Sequence, residues 1–225
     1  MSNTVCIIGS NRGIGLALVV EYLSYGWTVY GVCRTPSQDL TDLAKSNDTL
    51  HIIADIDVTK SEDIITLCAN LPKGCSEVIH NAGILRGDTV QNADNEQIIE
   101  QFTVNTLAPL NTLRALKTHL TNLRKVGIIT SRMGSIGDCS RPGMLGYRIS
   151  KAAVNMVGKN LANAWSSTDF MLLLLHPGYV RTDMTGGNGL INPDESARGL
   201  FALMRDKGPR DSGTFWHTNG NELPW

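Results

Sequence analysis

The stretch TVCIIGSNRGIGLAL, Thr4–Leu18, decides how the rest of the chain is read. It passes from a β-branched apolar run into a glycine turn, and from the turn into apolar residues at helical spacing. Gly9, Gly13 and Gly15 stand in the order G-x-x-x-G-x-G. Glycine tolerates positive φ and lets backbone N–H groups come close to a pyrophosphate, and a following helix adds its N-terminal dipole. The turn Gly9, Ser10, Asn11, Arg12, Gly13, Ile14 and Gly15 is therefore a candidate dinucleotide cradle. The pattern alone also fits a loop that only needs to turn tightly.

Beyond the turn, short apolar runs alternate with longer amphipathic stretches. Strands are predicted at TVCIIG (4–9), TVYGVC (28–33), LHIIAD (50–55), SEVIHNAG (76–83), VGIITS (126–131), FMLLLLHPG (170–178) and GTFWH (213–217). Helical spacing appears in IGLALVVEYLSYG, with Gly26 as its C-terminal stop, in SEDIITLCANL from Ser61, and in YRISKAAVNMVGKNLANAW. The long stretch from Glu96 to Leu120 holds Pro109, which predicts a kink or a break. Strand alternating with helix implies a doubly wound α/β fold: about seven parallel strands, with about six helices on both faces, in one domain spanning 1–225.

The bulk properties exclude several classes. Twenty Lys and Arg against 21 Asp and Glu leave no basic excess for nucleic acid. The longest apolar run, Phe170–Leu175, is too short to span a bilayer, and MSNTVCIIGS has no leader pattern. Five cysteines without a C-x-x-C pair read as free thiols, and a cytoplasmic location is expected. No Cys/His cluster suggests a metal, and His80 and His176 read as structural.

The second strand ends GVCRT, with Arg34 where an NAD-binding protein usually carries a carboxylate. Arg12 and Arg34 together read as a clamp for a 2′-phosphate, hence for NADP(H) over NAD(H). In YRISK, Tyr147 and Lys151 are four residues apart and share one helix face. A cation beside a phenol favours its anion and makes tyrosine a usable acid or base. Ser131 closes the fifth strand at the carboxyl edge, where α/β sheets bind ligands.

Taken together, the glycine turn, Asp57 in DIDVT, NAG (Asn81, Ala82, Gly83), Asn105, Ser131, Tyr147-x-x-x-Lys151 and PGYVRT resemble the classical short-chain dehydrogenase/reductase family. The likeness covers essentially the whole chain. It is nearest to the carbonyl-reductase branch that includes sniffer and the C-factor-like proteins, which share the terminal Leu223-Pro224-Trp225. The resemblance implies that Tyr147 donates a proton in reduction and accepts one in oxidation, that Ser131 polarises the substrate oxygen, and that Lys151 holds the nicotinamide ribose and lowers the Tyr147 pKa. It implies further that Asn105 kinks its helix and supports a water next to Lys151, and that Asp57 meets the adenine. Asn81, Ala82 and Gly83 would flank the adenine ribose, and Pro177, Gly178, Val180 and Thr182 would hold the nicotinamide amide.

The usual spacing back from Tyr147 lands on Gly134, so the choice lies between Ser131 and Ser135. The extra residues fall in GSIGDCSRPGM (134–144), a loop expected at the substrate mouth. Leu85, Met133, Ile136, Met144, Tyr179 and Trp216 are candidates for an apolar pocket wall, and 182–196 for a mobile lid. The expected partners are a small carbonyl or alcohol substrate and a second copy of the chain, as homodimer or homotetramer. The alternative is an NADP(H)-binding regulator with little turnover.

Overall fold

The computed structural model describes residues 3–225. All seven expected strands form: β1 (Thr4–Ile8), β2 (Thr28–Val32), β3 (Leu50–Ile53), β4 (Glu77–His80), β5 (Lys125–Ile129), β6 (Met171–His176) and β7 (Thr214–His217). They build one parallel sheet in the order β3-β2-β1-β4-β5-β6-β7. The helices are α1 (Gly13–Ser24), α2 (Gln38–Lys45), α3 (Ser61–Asn70), α4 (Asn95–Phe102), α5 (Ala108–His119), α6 (Leu145–Ala164) and α7 (Pro193–Asp206).

Period-two alternation in the strands divides the core into two layers. Cys6 and Ile8 of β1, with Leu172 and Leu174 of β6, pack on the side of α3, α5 and α6. Val5 and Ile7, with Met171, Leu173 and Leu175, pack on the side of α1, α2 and α7. That is why the β6 run MLLLL is apolar at every position: both faces are covered.

Two local expectations gain detail. Gly26 ends α1 at φ +73°, with its N–H on the Leu23 carbonyl at 2.9 Å. The long helical stretch breaks just ahead of Pro109, through a π-helical turn at Thr103–Leu107. Proline has no N–H to give and crowds the carbonyl four residues back, so an interruption at this point is expected. Helix α2 went unnamed in the sequence; it is eight residues long, buries only Leu40, and is capped by Ser37, whose Oγ accepts the Leu40 N–H at 3.2 Å.

The chain reverses its direction of travel across the sheet between β1 and β4. The crevice outside their carboxyl ends is where such sheets hold ligands.

Candidate active site

At this crevice the backbone makes a close-fitting cradle. Gly9 has φ +85°, and a Cβ there would lie 2.7 Å from the Ala82 nitrogen; one on Gly15 would lie 1.9 Å from the Gly9 carbonyl oxygen. Neither position admits a side chain. Arg12 precedes α1 without capping it, and the first turn of α1 holds no acidic residue, so its leading N–H groups stay available for an anion. Asn81 Nδ2 donates to the Gly9 carbonyl at 2.8 Å, and the Asn81 and Ala82 N–H groups both donate to the Ile8 carbonyl at 2.9 Å. The NAG segment is thus laced to the glycine turn.

Side chains within the turn have separate tasks. Ser10 is fully buried and donates to the Val32 carbonyl at 3.2 Å, which ties the turn to β2. Asn11 Oδ1 accepts the Ser37 N–H, and Ser37 Oγ donates to the Asn11 carbonyl at 2.7 Å, so the start of α2 is fixed to the turn. Arg12 is directed across the cleft, with Nη1 2.7 Å from Asp183 Oδ2, both side chains being almost three-quarters exposed. Gly13 sits under the same segment: a Cβ there would be 3.2 Å from Thr182 Cγ2. Arg34 is exposed after β2 and close enough to Asp57 to act on its charge. Burial pushes the Asp57 carboxyl up, but hydrogen bonds from Thr59 Oγ1 and N–H, together with Arg34 and Lys60, hold it below its ordinary value.

At the other end Ser131, Tyr147 and Lys151 are brought together. Ser131 begins a 3₁₀ turn (Arg132–Gly134), where its Oγ accepts the Met133 N–H at 3.1 Å and lies close enough to the Tyr147 phenol to act on its proton. Ser135 is occupied otherwise: 2% exposed, it accepts the Asp138 N–H at 3.1 Å. Lys151 Nζ is buried, donates to the Ile129 carbonyl at 3.1 Å, and lies 5.6 Å from the Tyr147 ring centre. Burial pushes Tyr147 up to about 12, against a smaller opposing effect of the Ser131 hydrogen bond, and pushes Lys151 down to about 8. This differs from the expectation that Lys151 lowers the tyrosine pKa. Loss of solvent around the phenol is the dominant cause, and only Ser131 opposes it.

Asn105 lies in the π-helical turn. Its Oδ1 accepts the Ile84 N–H at 2.8 Å, and its Nδ2 donates to the Ile84 carbonyl at 2.8 Å and to Ser150 Oγ at 3.0 Å. Thr106 Oγ1 donates to the Ser150 carbonyl at 2.8 Å. The segment after Gly83 and the middle of the Tyr147–Lys151 turn are joined through this one asparagine. Gly83 is close packed here, a Cβ lying 3.1 Å from Asn105 Oδ1 and 3.6 Å from Lys151 Nζ.

Ser131 and Tyr147 open into a cavity of about 410 Å³. Ile14, Pro177, Gly178, Val180 and Thr182 line it, as do Leu85, Met133 and Tyr179 among the expected apolar residues. Ile136 is 81% exposed and, like Met144 and Trp216, contributes nothing to that wall. Met184 and Thr185, from the expected lid, also reach the cavity. Among the described residues no His/Cys/Asp/Glu group could hold a metal, and no helix is long and apolar enough to cross a membrane.

One residue of consequence was not signalled by the sequence. Met144 precedes α6 with φ +55° and offers no cap, and the helix N-terminus is held instead by Asp88 from the loop after β4. The Gly146 N–H donates to Asp88 Oδ2 at 2.9 Å, and the Met144 N–H donates to the Asp88 carbonyl at 2.8 Å. A cap supplied from so far along the chain leaves no local motif to find.

A seven-stranded parallel sheet with a glycine cradle at its reversal point, and a serine, a tyrosine and a lysine gathered over the adjoining cavity, defines a dinucleotide-type oxidoreductase architecture. The short chain dehydrogenase family model matches residues 3–190, and the chain belongs to that family. It is 39% identical over 230 residues to 1-hydroxy-2-glutathionyl-2-methyl-3-butene dehydrogenase of Rhodococcus sp., covering 99% of this chain and all of the relative. The NADPH-bound carbonyl reductase from chicken fatty liver superimposes with a TM-score of 0.92 at 30% identity, over 100% of this chain and 99% of that one. Carbonyl reductase Sniffer of D. melanogaster superimposes with a TM-score of 0.93 at 26% identity, over the full length of both.

Proposed function

We propose that the protein is an NADP(H)-dependent oxidoreductase that interconverts a small carbonyl compound and its alcohol. The observation that carries this reading is the contact of Ser131 with Tyr147 at the mouth of a cavity that Ile14 and Thr182 also line. The cradle at Gly9 and Gly15 and the uncapped start of α1 suit a pyrophosphate, and Arg34 with no carboxylate ending β2 suits a 2′-phosphate. When bound, the dinucleotide supplies or accepts the hydride.

The chain's own residues would divide the remaining work. Gly9 through Gly15 hold the phosphates, with Arg12 and Arg34 on the 2′-phosphate side; Asp57 and Asn81–Gly83 flank the adenosine. Pro177, Gly178, Val180 and Thr182 orient the nicotinamide amide. Ser131 positions the substrate oxygen. Tyr147, protonated at neutral pH and held more firmly so by its burial, gives that oxygen its proton in reduction. Lys151 holds the ribose, and Asn105 steadies the helix turn behind it. The relative that bears the name of a hydroxy-compound dehydrogenase, and neighbours named as carbonyl reductases, support this substrate class. We take the protein to act in the cytoplasm as one domain per chain, in a homodimer or homotetramer. Exposed Ile99, Ile149 and Met156 on α4 and α6 offer a pairing face.

The test follows NADPH absorbance against aldehydes, ketones and quinones. Wild type should turn over members of the panel, and Tyr147→Phe should lose about 10²–10⁴ in kcat, the usual scale of proton-transfer catalysis. Undiminished turnover in Tyr147→Phe overturns the mechanism. Tight NADPH binding without turnover of any compound points to a regulator instead.

A further inference from the structure

Arg148 follows Tyr147 on α6 and lines the same cavity. Its guanidinium is held in place by two backbone carbonyls. Nε donates to Gly143 O at 2.9 Å, and Nη1 approaches Met133 O at 3.4 Å. Those contacts join the two ends of the 134–144 loop and bind Arg148 to the turn that begins at Ser131. A guanidinium carries five N–H donors, and carbonyl partners leave its charge unmatched. Among the described residues no carboxylate lies within ion-pair distance of Arg148.

The other charged groups at the cavity do not supply the missing anion. Arg132 is paired through Nε with Asp138 Oδ2. Two arginines therefore face one aspartate, and the lining carries one net positive charge. His176 adds none, because burial holds it down at about 3. Most of the remaining wall is apolar, with Ile14, Leu85, Met133, Tyr179, Val180 and Met184 prominent. A half-buried cation without a counter-ion in such surroundings is unfavourable, and an anionic ligand removes the penalty.

We propose that Arg148 is a specificity residue that binds a carboxylate on the substrate, so that the preferred substrates are oxo acids or hydroxy acids and not neutral carbonyl compounds. This rests on the carbonyl/alcohol reading of the cavity and adds the charge of the molecule that enters it. The planar fork of Arg148 matches a carboxylate in two-point contact. Arg148, Tyr147 and Ser131 line one cavity, so a substrate anchored there by its carboxylate would have its carbonyl within reach of Tyr147 and Ser131.

The experiment has a binding arm and a turnover arm. In the binding arm, calorimetry compares benzoate with benzamide, with and without NADP⁺, on wild type, Arg148→Met and Arg148→Lys. Wild type should bind benzoate about tenfold or more tightly over benzamide. The ratio should fall close to one in Arg148→Met and be kept in part by Arg148→Lys. In the turnover arm, kcat/KM for 4-carboxybenzaldehyde over its methyl ester should follow the same order. A wild-type ratio near one, or one that Arg148→Met leaves unchanged, overturns the proposal. If Arg148→Met does not fold, the wild-type ratio together with its change in Arg148→Lys decides. Benzoate selectivity that depends on Arg148, with no turnover of either aldehyde, upholds the anion site and overturns the reductase reading alone.

Discussion

Asp88 and Gly146 are 58 residues apart, yet the Asp88 carboxylate accepts the Gly146 N–H at 2.9 Å and so caps the helix that carries Tyr147 and Lys151. Asp88 is 8% exposed, and the preceding Met144 sits in the left-handed region, where a non-glycine residue needs outside support. Asp88→Ala leaves a buried N–H without a partner and should lower the unfolding free energy by ~1–3 kcal/mol. Asp88→Asn keeps an acceptor oxygen and should cost less than half as much. Chemical denaturation of the three proteins checks this; equal losses in the two variants would show that capping is not what Asp88 does.

Arg12 is tied to Asp183, and the pair is exposed enough to exchange partners readily. On the proposed reading, in which Arg12 meets the 2′-phosphate, Asp183 would compete for it. Asp183→Asn should tighten NADPH binding by about two- to fivefold, the scale of an exposed ion pair, with NADH little changed. Arg34→Ala should weaken NADPH selectively. Fluorescence titration with both cofactors reads the difference. Weaker NADPH binding in Asp183→Asn would place Arg12 away from the phosphate.

Lys151 is buried and pushed down to about 8, so it carries its charge below that pH and loses it above. A reaction that needs the ammonium should show kcat/KM for NADPH falling above about pH 8, toward tenfold per pH unit. The tyrosine limb, at about 12, lies beyond the measurable range. Lys151→Arg stays charged and should lose the limb near 8, whatever its absolute rate. Persistence of that limb in the variant would assign it to another group.

Glu77, at the amino end of β4, is fully buried, accepts a hydrogen bond from Tyr22 and is raised by burial from 4.5 to about 7. In this window the folded chain holds a proton that the unfolded chain has lost. The contribution is complete below about 4.5 and lost as pH rises through about 7, amounting to at most ~3 kcal/mol. Melting temperatures between about pH 5 and pH 8 should therefore drop more in wild type than in Glu77→Gln. Parallel pH curves would be the contrary result.

Much of the architecture was legible because it is written in periodicity. The alternation in β1 and the unbroken apolar run of β6 say how many faces each strand buries, and Gly26 and Pro109 mark where helices stop. Helix α2 was not legible: eight residues with one buried side chain leave too short a pattern, and its cap Ser37 is held by Asn11 from another element. The site was legible where its residues are sequence neighbours on one element, as Tyr147 and Lys151 are. The choice between Ser131 and Ser135 was not, since spacing ranks them only by analogy. In the folded chain Ser131 meets Tyr147, while Ser135 caps the Asp138 turn.

By itself the sequence determined the parallel sheet, the glycine cradle at its first strand and the shared helix face of Tyr147 and Lys151. Each of these follows from local conformational preference and from apolar residues recurring at the period of a strand or a helix. Tertiary structure alone decided which serine faces the tyrosine, which carboxylate caps α6, that Arg12 turns to Asp183 and that Arg148 has no carboxylate within ion-pair distance among the described residues. Those are matters of distance and desolvation between groups from 16 to 171 residues apart, and neither quantity exists until the chain has packed.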